Sequence, residues 1–419
     1  MAAILNEGNA KEEFERAVQR LEPLRDRPLS GAGIVICAGG MRYFVNAWVC
    51  INILRRHGCT LPIQMWHLGS KEMTDGMREL VSPLRVECID AREIAERYPV
   101  RSLAGWEVKP FAIINSPFQE VIMLDADNVA LVDPESLLST PQYKECGAIF
   151  WPDFGRLSPS RSVWRLTGIS HRNEPEFESG QIVVDKARCW EALQLTMWMN
   201  EHSDFWYRHI HGDKETFHMA WRKLDQPYAM PSRGIHRISG TMCQHDFEGR
   251  RIFQHRNMLK WSLDDNRRVP GFELEDECIE YLKQLKRHHR ALRGYPLFDQ
   301  ELERRLAGRV CKYHRVGHDQ RSLVLEPDGS VGAGRDRMER FWGVRLHDGS
   351  PVLEIYGDDG LTARLSAEND ERWVGKWLIH ERMPLEIIPG AYSNGYRNGN
   401  GNGNGNGNGN GNGNGATKH

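Results

Sequence analysis

The feature that most constrains the fold is an alternation of short apolar runs with helix-patterned segments in the first third of the chain. Apolar runs of strand length, separated by segments with helical spacing, occupy residues 31–40, 61–69, 85–90 and 120–125. Strands that alternate with helices at this spacing predict βαβ units around a mostly parallel sheet, an α/β fold. In such a sheet ligands bind beyond the carboxyl ends of the strands, so the residues that follow each run are the first candidates for a binding site.

Two carboxylates follow the fourth run, in the sequence VIMLDADNVALVDP at residues 121–134. Asp125 and Asp127, on either side of Ala126, can hold a hard divalent cation, and that cation can neutralise a diphosphate leaving group. The simpler interpretation is a turn that begins at Asp127 and is capped by Asp125. The apolar strand directly before the motif favours the metal site.

The same carboxylates fit a different enzyme class, the phosphatases of the haloacid dehalogenase type. The D-x-D-x-[TV] pattern of those enzymes matches DADNV, with Asp125 as nucleophile and Asp127 as general acid. Such enzymes open their core with the motif, whereas here three strand-helix units precede it. A further acidic pair, Asp264 and Asp265, follows no apolar strand. The phosphatase and a non-catalytic glycan-binding protein remain the two alternatives.

Glycines and cations elsewhere have the right positions to serve such a site. Gly39 and Gly40 end the first run, where they either let a nucleotide approach the backbone or form a tight turn. Lys109, at the start of a predicted helix, either reaches a phosphate or lies in solvent.

A predicted hairpin at residues 243–261 ends in FQHRNMLKW, which supplies further polar groups. There His255 can complete the metal site, with His245 as its competitor for this role, and Lys260 can screen the diphosphate.

Two further blocks combine small and charged residues. In ESGQIVVDK a strand follows Glu178, Ser179 and Gly180, whereas in HGDKETF a helix begins near Gly212, Asp213 and Lys214. The N–H groups of a helix start suit an anion or sugar hydroxyls, although Asp213 also fits a simple N-cap. In FWPDFG, Trp151 and Asp153 form either an acceptor platform or part of the core and a loop.

The sequence pattern changes near residue 312 to short alternating runs with turn signals, which predict a small antiparallel β module. Trp342, Trp373 and Trp377 in this module either pack its core or bind a glycan. The Asn-Gly repeat after Gly390 cannot bury apolar surface and predicts a disordered tail. The predicted domains are an N-terminal helix and lead-in at 1–30, a catalytic domain at 31–270, a helical linker at 271–311, the β module at 312–390 and the tail at 391–419.

Composition excludes several classes of partner. A formal net charge of -2 over 419 residues offers no basic surface for nucleic acid. We find neither a signal peptide nor an apolar segment of the roughly 18 residues that a membrane span requires. The nine cysteines are scattered and odd in number, which predicts reduced thiols and a cytoplasmic protein.

Taken in order, several blocks resemble the fungal Golgi α-mannosyltransferases of glycosyltransferase family 71. They are GIVICAGGMRYFVNAWVCINILRRHGCTLPIQMWHLG, VKPFAIINSPFQEVIMLDADNVALVDPESLL, GAIFWPDFG, ESGQIVVDK and GDKETF. The resemblance implies a GT-A fold and retention at the anomeric carbon. It implies a nucleotide-sugar donor (GDP-mannose, or else a UDP-sugar), a glycan or other hydroxyl acceptor, and a divalent metal, Mn²⁺ or alternatively Mg²⁺.

The resemblance also implies roles for particular residues. Asp125 and Asp127 would bind metal and diphosphate, and Glu178 and Asp213 would be the catalytic or sugar-binding carboxylates. The predicted donor-binding set is Gly39, Gly40, Lys109, Asp125, Ala126, Asp127, Ser179, Gly180, Gly212, Lys214 and Lys260.

Overall fold

The chain divides into two compact units, Met1–Pro296 and Leu297–His419. The computed structural model describes residues 4–24, 28–263, 266–288, 292, 300–357, 360–369, 371–379 and 382–390. The predicted Asn-Gly tail at 391–419 and the acidic pair Asp264 and Asp265 lie outside these residues.

The first unit is built from alternating strands and helices. Its described strands, β1 to β10 in chain order, span Ala32–Cys37, Ile63–His67, Val86–Asp90, Glu120–Asp125, Asn128–Ala130, Ala148–Pro152, Phe177–Asp185, His236–Ile238, Thr241–His245 and Arg251–His255. Its described α-helices, α1 to α11, span Ala10–Gln19, Gly40–Arg56, Asp75–Val81, Ala91–Arg97, Val108–Asn115, Pro141–Cys146, Ser162–Thr167, Lys186–Glu201, Ser203–Trp206, Asp213–Lys223 and Glu275–Arg287. Short 3-10 helices lie at Ser82–Leu84 and Pro134–Ser139.

Six strands form the main sheet, in the order β3-β2-β1-β4-β7-β6. Strands β3, β2, β1 and β4 are parallel, and β7 and β6 join through antiparallel pairs. The predicted α/β fold with a mostly parallel sheet is confirmed, and it agrees with the GT-A organisation that the resemblance implies. Because β6 is antiparallel to β7, and β7 to β4, the carboxyl ends of β1, β2, β4 and β6 all meet at one edge.

The apolar runs form strands because both faces of the sheet are covered. In β1, Ile34 and Ile36 pack in one hydrophobic core and Val35 packs in the core on the opposite face. Burying an aliphatic side chain of this size contributes about 1.5–3 kcal/mol, which explains why the runs carry few polar residues. Cys37 pairs with Trp66 on one side and with Asp125 on the other, so the strand ends form one row across the sheet.

The predicted hairpin near residues 243–261 is confirmed. Strands β9 and β10 are antiparallel and belong to a second sheet, ordered β5-β10-β9-β8. In this sheet His255 pairs with Asn128, the residue that follows the D-x-D motif. The hairpin therefore places His255 beside the two aspartates, although 128 residues separate it from Asp127 in the sequence.

Two predicted helical segments differ from the observed ones. The N-terminal helix predicted within residues 1–30 spans Ala10–Gln19 in the structure. Helix α11, predicted as part of a linker, packs on α2 within the first unit, where Trp48 Nε1 donates to the carbonyl of Tyr281 at 2.9 Å. The remaining domain boundaries stay predictions.

The second unit contains a short helix and one antiparallel sheet, which confirms the predicted β module. Helix α12 spans Gln300–Leu306, and strands β11 to β17 span Val310–Arg315, Asp319–Val324, Phe341–His347, Ser350–Gly357, Gly360–Asn369, Arg372–Trp377 and Pro384–Pro389. The strand order is β12-β11-β17-β16-β15-β14-β13. Trp342, Trp373 and Trp377 are buried in the core of this unit, so their rings are not available to a glycan.

Among the described residues, none of the helices combines the length and apolar character that crossing a membrane requires. All nine thiols are free. The cytoplasmic location stays a prediction.

Candidate active site

A cavity of about 550 Å³ opens at the sheet edge where the strand ends meet. Its wall combines the ends of β1, β2 and β4 with the loop before α5 and the start of α10. The lining residues are Cys37, Ala38, Gly39, Tyr43, Trp66, His67, Leu68, Glu72, Ala104, Gly105, Trp106, Val108, Lys109, Asp125, Ala126, Asp127, Ser179, Asp213 and Lys260. Eight of the predicted site residues thus lie in this wall: Gly39, Lys109, Asp125, Ala126, Asp127, Ser179, Asp213 and Lys260.

Lys109 is buried at the base of the cavity, where it contacts residues of β4, β7 and α10. Its ammonium group lies 2.9 Å from Asp125 Oδ1 and 3.1 Å from Asp213 Oδ2. It also donates to the carbonyl and the hydroxyl of Ser179, at 2.9 and 3.0 Å, and that hydroxyl donates to Asp213 Oδ2 at 2.9 Å. Lys109 is therefore saturated with acceptors, and it fixes the two carboxylates rather than projecting toward solvent.

Asp127 is held by the hairpin and the segment that follows it. His255 Nε2 lies 3.2 Å from Asp127 Oδ1 and 3.7 Å from Asp125 Oδ2, while Lys260 forms an ion pair with Asp127 Oδ2. One ligand atom from each of Asp125, Asp127 and His255 lies within 4.8 Å of the others, a spacing at which the three can hold one metal ion. The structure thus brings His255 to the aspartates, whereas His245 lies outside this cluster.

Glu178 and Gly180 support His255 from behind. Glu178 Oε1 lies 3.4 Å from His255 Nδ1 and accepts the N–H of Gly180 at 2.8 Å. Asn128 donates to the carbonyl of Gly180 at 3.0 Å and to Gln181 at 2.9 Å, and Gln181 donates to Glu178. Glu178 therefore orients the imidazole and does not line the cavity, a position that suits a supporting carboxylate more than the catalytic role predicted for it.

The charges of the site stabilise one another against burial. Burial opposes the charged form of Lys109, but Asp125 and Asp213 outweigh this and hold its pKa above the usual range. Burial would also raise the pKa of Asp127, yet His255 and Lys260 lower it on balance. For His255 burial is again outweighed, here by Asp127 and Glu178, which raise its pKa well above its ordinary value. The site is a compact network of paired charges.

The predicted donor ligand Lys214 lies outside the cavity. Its ammonium is 2.5 Å from Asp153, 2.7 Å from Glu176 and 3.2 Å from Glu215, so a separate carboxylate cluster holds it. Although Lys214 follows Asp213 directly in the chain, its ammonium is paired with these carboxylates and does not line the cavity. The structure gives Lys214 a structural role in place of the predicted one.

This cluster predicts a pH dependence of stability. Burial raises the pKa of Glu215 from 4.5 to about 7, against the opposing effect of Lys214. Between these values the folded chain keeps a proton that the unfolded chain has lost, so the group lowers stability as pH rises from 4.5 to about 7. We expect Glu215→Gln to gain stability relative to wild type at pH 8 compared with pH 5, as measured by urea unfolding. The exposed Glu191→Gln is the control, and an identical wild-type and Glu215→Gln pH profile would contradict the assignment.

The other predicted residues shape the walls. Gly40 begins α2 with a φ of 69° and Gly212 precedes α10 with a φ of 93°, backbone values that favour glycine. A Cβ at Gly212 would lie 2.8 Å from the ring of Trp106, so this glycine makes room for that indole. Trp151 is fully buried and donates to the carbonyl of His245 at 2.8 Å, which excludes the predicted acceptor platform on its ring.

Sequence reasoning missed four side chains of the cavity wall. Tyr43 and Trp106 expose 42% and 60% of their surface, and Glu72 and His67 lie near the ends of β1 and β2. An aromatic residue in a helical pattern or before a helix has no distinguishing signal in one sequence. The only hint was position, because His67 ends a strand and Glu72 and Trp106 come shortly before a helix, whereas Tyr43 lies inside α2.

The mannosyltransferase family model Mannosyl_trans3 matches residues 31–171 and 169–256, which together make up more than half of the chain. This chain belongs to that mannosyltransferase family. The match covers the main sheet, the D-x-D motif and His255, and it ends before Lys260. Membership favours sugar transfer over the dehalogenase-type phosphatase that the D-x-D motif alone allowed.

Curated proteins with similar sequences are named as mannosyltransferases as well. The α-1,2-mannosyltransferase MNN5 of Saccharomyces cerevisiae is 25% identical over 293 residues, covering 56% of this chain and 50% of MNN5. The α-1,2-mannosyltransferase MNN24 of Candida albicans is 26% identical over 265 residues, covering 53% of this chain and 37% of MNN24. The family member described here therefore spans about half the length of these relatives or less.

Solved structures give weaker similarities. The glycosyltransferase GlyE of Streptococcus pneumoniae is 15% identical with a TM-score of 0.33, covering 48% of this chain and 46% of GlyE. Core-mannan synthase A of Aspergillus fumigatus, solved in a Mn/GDP form, is 8% identical with a TM-score of 0.33, covering 50% of this chain and 80% of the synthase. TM-scores this low do not establish a shared fold by themselves.

Proposed function

We propose that this family member is a metal-dependent mannosyltransferase that moves mannose from GDP-mannose to a hydroxyl of a glycan acceptor. The observation that carries the proposal is the cluster of Asp125, Asp127 and His255 at the ligand edge of the sheet, facing a cavity that also contains Lys260. Family membership supplies the reaction class, and the cluster supplies the group that such a reaction needs.

The residues present fit a divalent cation. Two carboxylates and one neutral imidazole are ligands that Mn²⁺ and Mg²⁺ accept, so His255 would give up its proton when the ion binds, and Asp125 keeps part of its carboxylate exposed to the cavity. When bound, the metal would neutralise charge on the donor diphosphate. Lys260, which pairs with Asp127, is placed to contribute a second positive charge as that diphosphate leaves.

We infer that Asp213 binds the sugar. One of its oxygens, Oδ2, is occupied by Lys109 and Ser179. Within the described part of the chain its other oxygen has no partner, and the residue lines the cavity. A carboxylate held in this way can accept a hydrogen bond from a sugar hydroxyl without rearranging.

Ligand-dependent stabilisation tests the proposal. We expect GDP and GDP-mannose to raise the unfolding temperature in the presence of Mn²⁺, and to have little effect in EDTA. A ligand at 100 times its Kd stabilises the folded state by about 2.7 kcal/mol, which a thermal shift detects readily. Stabilisation by GDP that is as large in EDTA as in Mn²⁺ would count against a metal-dependent donor site.

Gly180 offers a test of the metal site through its packing. A Cβ at this position would lie 2.5 Å from His255 Nδ1 and 2.8 Å from Glu178 Oε1. We expect Gly180→Ala to displace the imidazole and weaken Mn²⁺ binding by about 10- to 100-fold, as measured by Mn²⁺ titration with electron paramagnetic resonance. Gly234→Ala is the matched control, because a Cβ there meets nothing within 4 Å. Equal Mn²⁺ affinity in both variants would argue against His255 as a ligand.

A further inference from the structure

The cavity has two chemically different ends. The end at β4 contains the acidic and lysine side chains described above, while the end at β2 contains Trp66, His67, Leu68 and Glu72. Strand β1 separates β4 from β2, and neighbouring strands lie about 4.8 Å apart, so the two ends are roughly 10 Å apart. A diphosphate bound at the β4 end would therefore place its nucleoside toward the β2 end.

Glu72 is the acidic residue of this second end, and its position is fixed. Its Oε2 accepts the N–H of Leu68 at 2.8 Å, and its backbone carbonyl accepts the N–H of Gly40 at 2.7 Å. A Cβ at Gly39 would lie 2.1 Å from Oε2, so the carboxylate reaches this place because residue 39 has no side chain. Within the described residues Oε1 has no partner, which leaves it free to accept hydrogen bonds from a ligand.

The negative charge of the Glu72 carboxylate is left for a bound ligand to stabilise. Among the described residues that line this end of the cavity, none is a lysine or arginine. His67 does not supply a positive charge, since burial lowers its pKa and its ring nitrogens lie 3.1 Å from the carbonyl of Gly69 and from Arg78. A ligand at this end must therefore bring its own hydrogen-bond donors to the carboxylate.

Two aromatic side chains elsewhere in the cavity wall suit a flat ligand: Tyr43, whose ring centroid lies 5.9 Å from the Lys260 ammonium, and Trp106. Tyr43 and Trp106 are partly exposed in the cavity, and Trp106 packs against Tyr207 with ring centroids 5.8 Å apart. Trp106 also lies against Gly212, which limits its movement. Stacking of a nucleobase on an aromatic side chain contributes about 1–3 kcal/mol and does not discriminate between bases. Discrimination must come from a polar group, and Glu72 is available for it.

We propose that Glu72 is the residue that selects guanine as the base of the donor nucleotide, an inference that rests on the proposed function. Guanine presents two adjacent donors, N1–H and the N2 amino group, which match the two oxygens of a carboxylate. Uracil presents one N–H between two carbonyl groups, which a carboxylate repels. Adenine places an acceptor beside its amino group. Guanine is thus the common base that satisfies Glu72 in a two-bond arrangement.

Nucleotide titration of the full-length protein tests this inference. GDP and UDP are titrated in Mn²⁺ into wild type, Glu72→Gln and the control Glu79→Gln, which removes the same charge from an exposed position of α3. The glutamine oxygen can still accept the N–H of Leu68. The amide NH₂ group then faces the N1–H and N2 amino donors of guanine and cannot accept a hydrogen bond from them. We expect Glu72→Gln to raise the Kd for GDP about 10- to 100-fold and to lower the Kd for UDP, because the repulsion between the carboxylate and the uracil carbonyls is removed. Glu79→Gln should match wild type for both nucleotides.

The possible outcomes separate this inference from the proposed function. GDP binding by Glu72→Gln with wild-type affinity, or an equal loss for GDP and UDP, would overturn the role of Glu72 in base selection. A wild type that binds UDP more tightly than GDP would also overturn it, while leaving a metal-dependent transferase in place. If wild type bound neither nucleotide in Mn²⁺, the proposed function itself would fail, and the inference with it.

Discussion

The Asp125→Asn variant is expected to fold like wild type and to transfer sugar about 10²- to 10³-fold more slowly. Asparagine keeps the shape of the side chain but removes the charge that attracts a divalent cation. The fold should persist because Lys109 retains Asp213 and both acceptors on Ser179. The measurement is the initial rate of mannose transfer from GDP-mannose, alongside the unfolding temperature.

Asp225→Asn is the matched control for this prediction. Asp225 is exposed and has a φ of 45°, a conformation that asparagine adopts as readily as aspartate. It should keep wild-type activity. A transfer rate for Asp125→Asn close to that of wild type, in saturating Mn²⁺, would show that the motif does not bind the catalytic metal.

The Lys109→Met variant is expected to lose about 3–5 kcal/mol of folding free energy as well as activity. Methionine fills much of the same volume, but it leaves Asp125 and Asp213 facing each other in a buried site with no positive charge between them. Removing one partner from a buried charge network costs this much, because the remaining charge is neither hydrated nor paired. Urea unfolding followed by circular dichroism measures the loss.

Two comparison variants separate this effect from a general loss of lysine. Lys71→Met changes an exposed lysine and should leave the unfolding free energy within about 0.5 kcal/mol of wild type. The double variant Lys109→Met with Asp213→Asn should regain part of the stability, because it removes one of the uncompensated charges. Additive losses in the double variant would contradict the proposed coupling.

The main sheet and the place of its ligand edge are predictable from sequence patterns. Continuous apolar runs form parallel strands because both faces are buried, and β4 spans the predicted residues 120–125. The D-x-D motif follows that strand directly, so its position in the chain is enough to assign Asp125 and Asp127 to the edge. The hairpin that contains His255 is predictable from its turn, whereas the pairing of His255 with Asn128 beside the motif is not.

The partners of individual side chains are not predictable in the same way. Lys214 and Asp213 are neighbours in the chain, yet Asp213 lines the cavity and Lys214 pairs with Asp153, which lies 61 residues away. Such pairings depend on which strands become neighbours, and local patterns do not report this. Glu72 escapes prediction for a related reason, since KEMTD is indistinguishable from an ordinary solvent-exposed helix start.

The tryptophans show that sequence context does not predict which aromatic side chains are accessible to a ligand. Trp151 in the first unit and Trp373 in the second are candidates for sugar-binding surfaces by their sequence context, and both are buried. Trp106, which no sequence pattern distinguishes, exposes its ring in the cavity. Composition predicts that aromatic residues are available, but burial decides which of them can meet a ligand.

The proposed function depends most on one claim, that Asp125, Asp127 and His255 hold the metal of a sugar-transfer centre. It is tested most directly by incubating the protein with GDP-mannose and methyl α-mannoside in Mn²⁺ or in EDTA, and by quantifying the GDP, the mannosylated product and the GMP. We predict that GDP forms in Mn²⁺ together with transferred or free mannose, and that EDTA and Asp125→Asn abolish its formation. Cleavage of the diphosphate to GMP and mannose 1-phosphate as the main reaction, or GDP formation that EDTA leaves unchanged, would contradict the claim.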